Sequence, residues 1–184
     1  MPLTAMGFVL DLVPHCEPVP RDGWVGDQGV RPLNELGHRQ AATLAVTLGA
    51  GVDGVYSSPA LRCRQTVEPT ARAAGLEVVV LDGLAEAAGF TEPSAWIGGT
   101  FADIAGPLGG GWTTGLALDA VRTMADRHPG GRVVASSHGD VIPLLVAAVC
   151  AAGRVPVPDV VYRGGWYRLR FGADGAVTVD AHPA

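Results

Sequence analysis

The chain has no lysine: all thirteen of its basic residues are arginines. Chemistry that needs a side-chain amine is thereby excluded, from Schiff-base and pyridoxal enzymes to the lysine of a Walker-type phosphate loop. Cysteine is sparse as well. Cys16, Cys63 and Cys150 are odd in number and lack C-x-x-C spacing, which fits neither a disulfide framework nor a zinc site and suits a reducing compartment. Long hydrophobic runs are missing: the longest, Val141 to Ala152, is twelve residues with Pro143 inside it, too short for a bilayer span. Met1 to Val13 has no basic flank and no small-residue cleavage pattern, and it carries Asp11, so it does not read as a signal peptide. A soluble, cytoplasmic protein is expected. With a net charge of −5 and no basic run longer than two residues, neither nucleic acid nor a membrane is an expected partner.

What is present is a core. Apolar residues make up 48% of the 184 residues, enough for one domain to bury a sizeable interior. The 26 glycines and 14 prolines stay below the roughly 25–30% of low-complexity chains and point to generous loops. Phe8 to Val13 reads as a strand stopped by Pro14. Asn34 is placed to cap a helix running to about Leu48, with Ala41, Leu44, Ala45 and Leu48 on one face. Asp53 to Ser57 reads as a second strand, and Ser58-Pro59 as a cap and first helical position. That helix is expected to run to Ala74, kinked by Pro69 and ended by Gly75. Glu77 to Leu81 is a third strand.

Residues 85–115 depart from this rhythm, with a concentration of glycine and with Phe90, Trp96, Phe101 and Trp112. They read as a lid or specificity insert. A helix from Thr114 to His128, a strand Arg132 to Ser136 and an apolar helix from Gly139 to Ala151 follow. The end reads as a hairpin turning at Asp174-Gly175, between Trp166–Phe171 and Val177–Asp180. Strands alternating with helices predict an α/β fold, a three-layer sandwich on a central, mostly parallel sheet closed by antiparallel strands.

Two histidines occupy equivalent places in this scheme. His15 follows the first strand, and His138 follows the strand Arg132 to Ser136. Ligands in open α/β sheets bind outside the carboxyl ends of strands, where helix N-termini favour anions. If those strands are neighbours, the imidazoles face each other over an anion site. Arg31 and Arg62 are placed to complete it, since guanidinium groups match phosphate oxygens.

The motifs, in order, resemble those of the histidine phosphatase superfamily, whose first strand ends L-V-R-H-G-E. This chain has Leu12-Val13-Pro14-His15-Cys16-Glu17, then Arg31-Pro32-Leu33-Asn34-Glu35-Leu36-Gly37 with Gln40-Ala41. Val55-Tyr56-Ser57-Ser58-Pro59 with Arg62 and Gln65-Thr66 follow, then Leu84-Ala85-Glu86 and Ser136-Ser137-His138-Gly139. The resemblance covers about residues 8–150 and leans toward the short, phosphohistidine-phosphatase-like branch. It implies a phosphoglycerate-mutase-like fold over a single domain, residues 1–184. It also implies a metal-independent phosphatase, with no cofactor, acting on a small phosphorylated molecule or a phosphohistidine protein. In that scheme His15 is the nucleophile, and Arg62 and Arg31 hold the phosphoryl oxygens. His138 stabilises the transferring group, and Glu86 is the acid, with Glu92 and Asp103 as alternatives.

The family's arginine before the nucleophile is Pro14 here, and the following glycine is Cys16. Proline brings no donor and no charge. Two other functions therefore stand beside the first: a non-catalytic phosphate-binding module, and an enzyme of this fold turned to acid–base chemistry on a non-phosphate substrate. Arg21 is a candidate to supply the missing guanidinium. Cys16 reads as a small buried hydrophobe more than as a nucleophile. His38, His128 and His182 read as solvated, and Arg64 as a surface residue.

Overall fold

The computed structural model describes residues 7–86, 90 and 105–184, the backbone alone at 105–107. Strands β1 (Phe8–Pro14), β2 (Gly54–Ser57), β3 (Val78–Val80), β4 (Arg132–Ser137), β5 (Trp166–Phe171) and β6 (Val177–His182) form one sheet in the order β3-β2-β4-β1-β5-β6. The four strands from β3 to β1 are mutually parallel, while β5 and β6 run antiparallel at the other edge. This is the α/β architecture expected.

Side-chain alternation along the strands divides the core in two. On one face Val13, Val55 and Val134 pack against Ala41, Leu44 and Leu48 of α1 (Glu35–Leu48) and Val67 and Ala71 of α2 (Leu61–Ala74). On the other, Leu10, Leu12, Tyr56, Val133 and Ala135 meet Val121 and Met124 of α3 (Ala105–Arg127) and Leu145 and Val149 of α4 (Ile142–Gly153). Helices thus cover both faces, completing three layers.

Local signals behave as written at most boundaries. The Asn34 side chain accepts from the Gly37 N–H, capping α1 at 2.9 Å. Gly75 ends α2 in the left-handed region at φ 69°, where a side chain would be strained. Three helix starts differ. The α2 helix starts at Leu61 with no side-chain cap, because the cap position falls on Ala60, while the Ser58 hydroxyl bonds His138 and accepts from the Ala60 N–H. α4 starts at Ile142 instead of Gly139, since Val141 and Ile142 first turn back to donate to the His138 carbonyl. α3 begins at Ala105, nine residues before the expected Thr114, so residues 105–115 belong to a helix. There Thr113 and Thr114 hydroxyls donate to carbonyls four residues back, a helical bonding that their glycine-rich surroundings mask in the sequence. Of the remainder of the expected insert, 87–89 and 91–104, with Trp96 and Phe101, lie outside the described residues.

Midway along β1, Asp11 is fully buried and holds two arginines. Its carboxylate accepts from Arg132 Nε at 2.7 Å on β4 and from Arg168 Nε at 2.6 Å on β5, tying β1 to both neighbours. Arg132 also donates to the Ala50 carbonyl just beyond α1. Removing a buried partner leaves uncompensated charge, which costs most when the remaining ions cannot reach water. Both arginines are partly exposed, so Asp11→Ala is expected to destabilise the fold by about 3 kcal/mol, measured as a lowered urea midpoint at unchanged slope. A loss near zero would show that the sheet does not need the buried carboxylate.

Candidate active site

Strand pairing builds the site. The β1–β4 register opposes Pro14 to Ser137, and the His15 N–H donates to the Ser137 carbonyl at 2.9 Å. The next residue of each strand is a histidine, so the two rings come together: their centroids lie 5.6 Å apart at an interplanar angle of 70°. After β1 the chain passes to α1 on one face, and after β4 to α4 on the other. The divergence opens a crevice at the carboxyl ends of the two strands.

His15 is 8% exposed. Its Nδ1 lies 2.9 Å from the Cys16 carbonyl oxygen, which can only accept, so Nδ1 carries the proton and Nε2 the lone pair. Burial is the main reason its imidazole is pushed down to about 4, with the charges of Arg62 and Arg163 adding to it. At neutral pH the ring is therefore an uncharged base. The loop below is fixed by the Cys16 N–H donating to Thr66 Oγ1 at 2.9 Å.

His138 is buried among polar partners. Its Nε2 lies 2.7 Å from Ser58 Oγ, and its Nδ1 lies 3.2 Å from Arg62 Nη2 and 3.3 Å from Glu86 Oε1. The Arg62 guanidinium is 2% exposed: Nη1 donates to the Gln28 carbonyl at 2.8 Å and Nη2 meets Glu86 Oε1 at 2.9 Å, while Nε has no partner among the described residues. The His138 hydrogen bond, helped by Arg62, holds the half-exposed Glu86 carboxyl down to about 2 against the opposing effect of burial. Arg31 is buried too, its Nη1 donating to the Val19 carbonyl at 2.7 Å and its Nε unpartnered among the described residues. A cavity of about 470 Å³ is lined by His15, Glu17, Arg21, Arg31, Glu86 and Arg163. Such a site suits a compact anion: buried guanidinium donors with spare hydrogen bonds surround a neutral imidazole.

All five residues singled out in the sequence, His15, Arg31, Arg62, Glu86 and His138, therefore meet around this crevice. Arg21 is exposed and lines the same cavity, and Arg64 is exposed. Glu92 and Asp103 lie outside the described residues. His38 is exposed, as expected, but His128 and His182 are half-buried: His128 Nε2 lies 2.8 Å from the Tyr56 hydroxyl, and His182 stacks on Trp166 with centroids 4.7 Å apart. Tertiary packing recruits both rings near element ends where the sequence shows no periodicity to mark it. The thiols are poor nucleophiles: burial raises Cys16 to about 11 and Cys63 to about 12.

Ser58 and Arg163 went unrecognised in the sequence. Ser58 stands before a proline and reads as a helix cap, a signal that conceals its bond to His138. Arg163 belongs to a loop without a motif, and only the Gly164-Gly165 pair behind it hints at a tight turn.

Residues 12–104 match the family model of the histidine phosphatase superfamily (branch 1). The chain belongs to that superfamily. Among curated proteins it is 33% identical over 173 residues to the bifunctional protein Rv2228c of Mycobacterium tuberculosis, a match covering 80% of this chain and 45% of that protein. The chain thus spans less than half the length of the curated relatives it matches. Among solved structures, Bacillus stearothermophilus YhfR aligns with a TM-score of 0.69 at 21% identity, over 95% of this chain and 96% of that one. The mycobacterial glucosyl-3-phosphoglycerate phosphatase Rv2419c, in complex with VO3, aligns with a TM-score of 0.67 at 22% identity, over 96% and 99%. For this histidine phosphatase superfamily member, these likenesses establish the phosphoglycerate-mutase-like fold.

The site also sets a dependence on acid. His15 is held at about 4 in the fold against 6.5 in a free chain, so the unfolded state binds more protons between those values and stability falls as pH drops through them. Glu86, held at about 2 against 4.5, adds a second loss below pH 4.5. His15→Asn is expected to flatten the first step, measured as unfolding free energy in urea from pH 7 to 4. Parallel curves for the two proteins would contradict the buried neutral imidazole.

Proposed function

We propose that the chain is a phosphatase that hydrolyses a phosphomonoester or a phosphohistidine through a phosphohistidine on His15, with no metal required. The observation that carries this reading is the His15 ring: its Nδ1 proton is committed to the Cys16 carbonyl, and its Nε2 lone pair is uncharged beside Arg62 and His138. Phosphoryl transfer asks chiefly for positioning and charge stabilisation.

In the first step the Nε2 lone pair attacks phosphorus and the ester P–O bond breaks. Arg62 and Arg31 hold the phosphoryl oxygens, and His138 stabilises the charge that develops on them. A dianion arriving at Arg62 competes with Glu86 for Nη2. Displaced and set beside negative charge, the Glu86 carboxyl rises from its low value, takes a proton from solvent and delivers it to the leaving oxygen. In the second step Glu86 accepts a proton from water, whose oxygen attacks phosphorus as the P–N bond breaks, returning neutral His15 and phosphate. The chain's own arginines supply the positive charge throughout.

One observation favours a second reading, in which the site binds phosphate compounds without turnover: Pro14 offers no donor beside the nucleophile. A single experiment separates the two. Wild type is expected to hydrolyse p-nitrophenyl phosphate and, quenched in mid-turnover, to carry an acid-labile, base-stable phosphoryl group that His15→Ala lacks. Turnover no greater than that of His15→Ala would remove the phosphatase reading, and phosphate affinity persisting in that case would leave the binding module.

A further inference from the structure

Arg163 has no part in the mechanism above, yet the fold delivers it to the nucleophile. It lies in the connection between α4 and β5, and it lines two cavities that meet at His15. One is the polar cavity shared with Arg31 and Glu86. The other, about 430 Å³, is bounded by Pro14, His15, Glu17, Gly139 and the apolar side chains of Ile142 and Val161 among others. Arg163 thus reaches the flank of His15 where Pro14 stands without a donor. We infer that Arg163 is the guanidinium that holds the phosphoryl group on this flank, and that Glu17 is the carboxylate which that group replaces. The inference rests on the phosphate-site reading above.

Three observations support it. Arg163 Nη1 lies 2.7 Å from both Glu17 carboxylate oxygens, which leaves Nη2 and Nε without a protein acceptor among the described residues. The pair is partly open to water, 44% and 33% exposed, so an incoming dianion exchanges with Glu17 at little cost. The arm itself is firmly placed. Gln40 bridges the two segments, its Oε1 accepting from the Glu17 N–H at 2.9 Å and its Nε2 donating to the Arg163 carbonyl at 3.4 Å. Behind it, Gly164 turns at φ 93°, and a Cβ on Gly165 would stand 2.4 Å from the His182 carbonyl oxygen. A turn that only glycines fit keeps the guanidinium over the crevice. Meanwhile Arg62 and Arg31 each spend one Nη1 on a backbone carbonyl, so neither brings its full fork to a ligand.

The test uses the full chain and four variants: Arg163→Gln, Arg163→Lys, Pro14→Arg combined with Arg163→Gln, and Arg62→Gln as a control. Vanadate affinity is measured by calorimetry, kcat/KM with p-nitrophenyl phosphate, and thermal melting in parallel. Arg163→Gln is expected to lower vanadate affinity and kcat/KM by about 100-fold, the size of a lost preorganised donor, while melting with wild type. Arg163→Lys, which keeps the charge and the fold but not the planar fork, is expected to fall between. Restoring a guanidinium from the strand, through Pro14→Arg in the Arg163→Gln background, is expected to recover at least about tenfold; a merely structural loss at Arg163 would not be repaired from β1. Wild-type affinity and kcat/KM in Arg163→Gln, with both lost in Arg62→Gln, would overturn the assignment and leave the phosphatase reading standing. A wild-type protein that binds no vanadate would overturn both.

Discussion

The pairing of β1 with β4 is the constraint on which the site depends. Six consecutive residue pairs, Val9 with Arg132 through Pro14 with Ser137, set the register. Side chains alternate between faces along a strand, so a slip of one residue would exchange Leu10 and Leu12 with Asp11 and Val13. The buried carboxylate of Asp11 would then enter the apolar layer under α3 and α4. That penalty locks the register, and the register in turn sets His15 beside His138. Hydrophobic pattern along the strand thereby fixes the distance between two imidazoles beyond its end.

The same end of the sheet concentrates arginines, some exposed and some buried. Three guanidiniums have stand-ins: Arg62 faces Glu86 and the Gln28 carbonyl, Arg31 the Val19 carbonyl, and Arg163 the Glu17 carboxylate. Unpaired buried cations would carry a large desolvation cost, and acceptors of the chain itself offset it here. The stand-ins differ in kind. Backbone carbonyls are fixed, whereas both carboxylates sit on side chains that are at least one-third exposed and can swing into water. In the proposed reaction an arriving dianion would displace those two and keep the carbonyls, which would hold the guanidiniums aimed while it binds. Glu86, once displaced, would stand next to the leaving oxygen, so that ion exchange and proton delivery would become one event.

Much of this was legible in the sequence, for a physical reason. Residues at strand ends next to proline and glycine break the hydrophobic period and stand out against it, as His15 and His138 do. Strand and helix boundaries marked by side-chain chemistry, such as Asn34 and Gly75, fell where their signals placed them. What escaped was whatever depends on a partner distant in the chain. Ser58 satisfies the local grammar of a helix cap while its hydroxyl serves an imidazole eighty residues away. The start of α3 hides in a glycine-rich stretch, and His182 is withdrawn from water by stacking on Trp166. Sequence pattern reports a residue's neighbours along the chain, and these residues are defined by neighbours across it.

Arg163 is the sharpest instance of that difference. A motif read as consecutive letters registers Pro14 as a lost guanidinium, because it counts the position and not the place. The phosphoryl group would sense only where the charge stands. β5 pairs antiparallel with β1 on the side away from β4, so the loop entering β5 opens beside the carboxyl end of β1, level with Pro14 and His15. A guanidinium mounted on that loop reaches the flank that one mounted on β1 would cover. A proline in the strand and an arginine in the loop are then compatible parts of one cationic site. The Gln40 bridge and the Gly164-Gly165 turn supply for a loop residue the rigidity that a strand would otherwise provide.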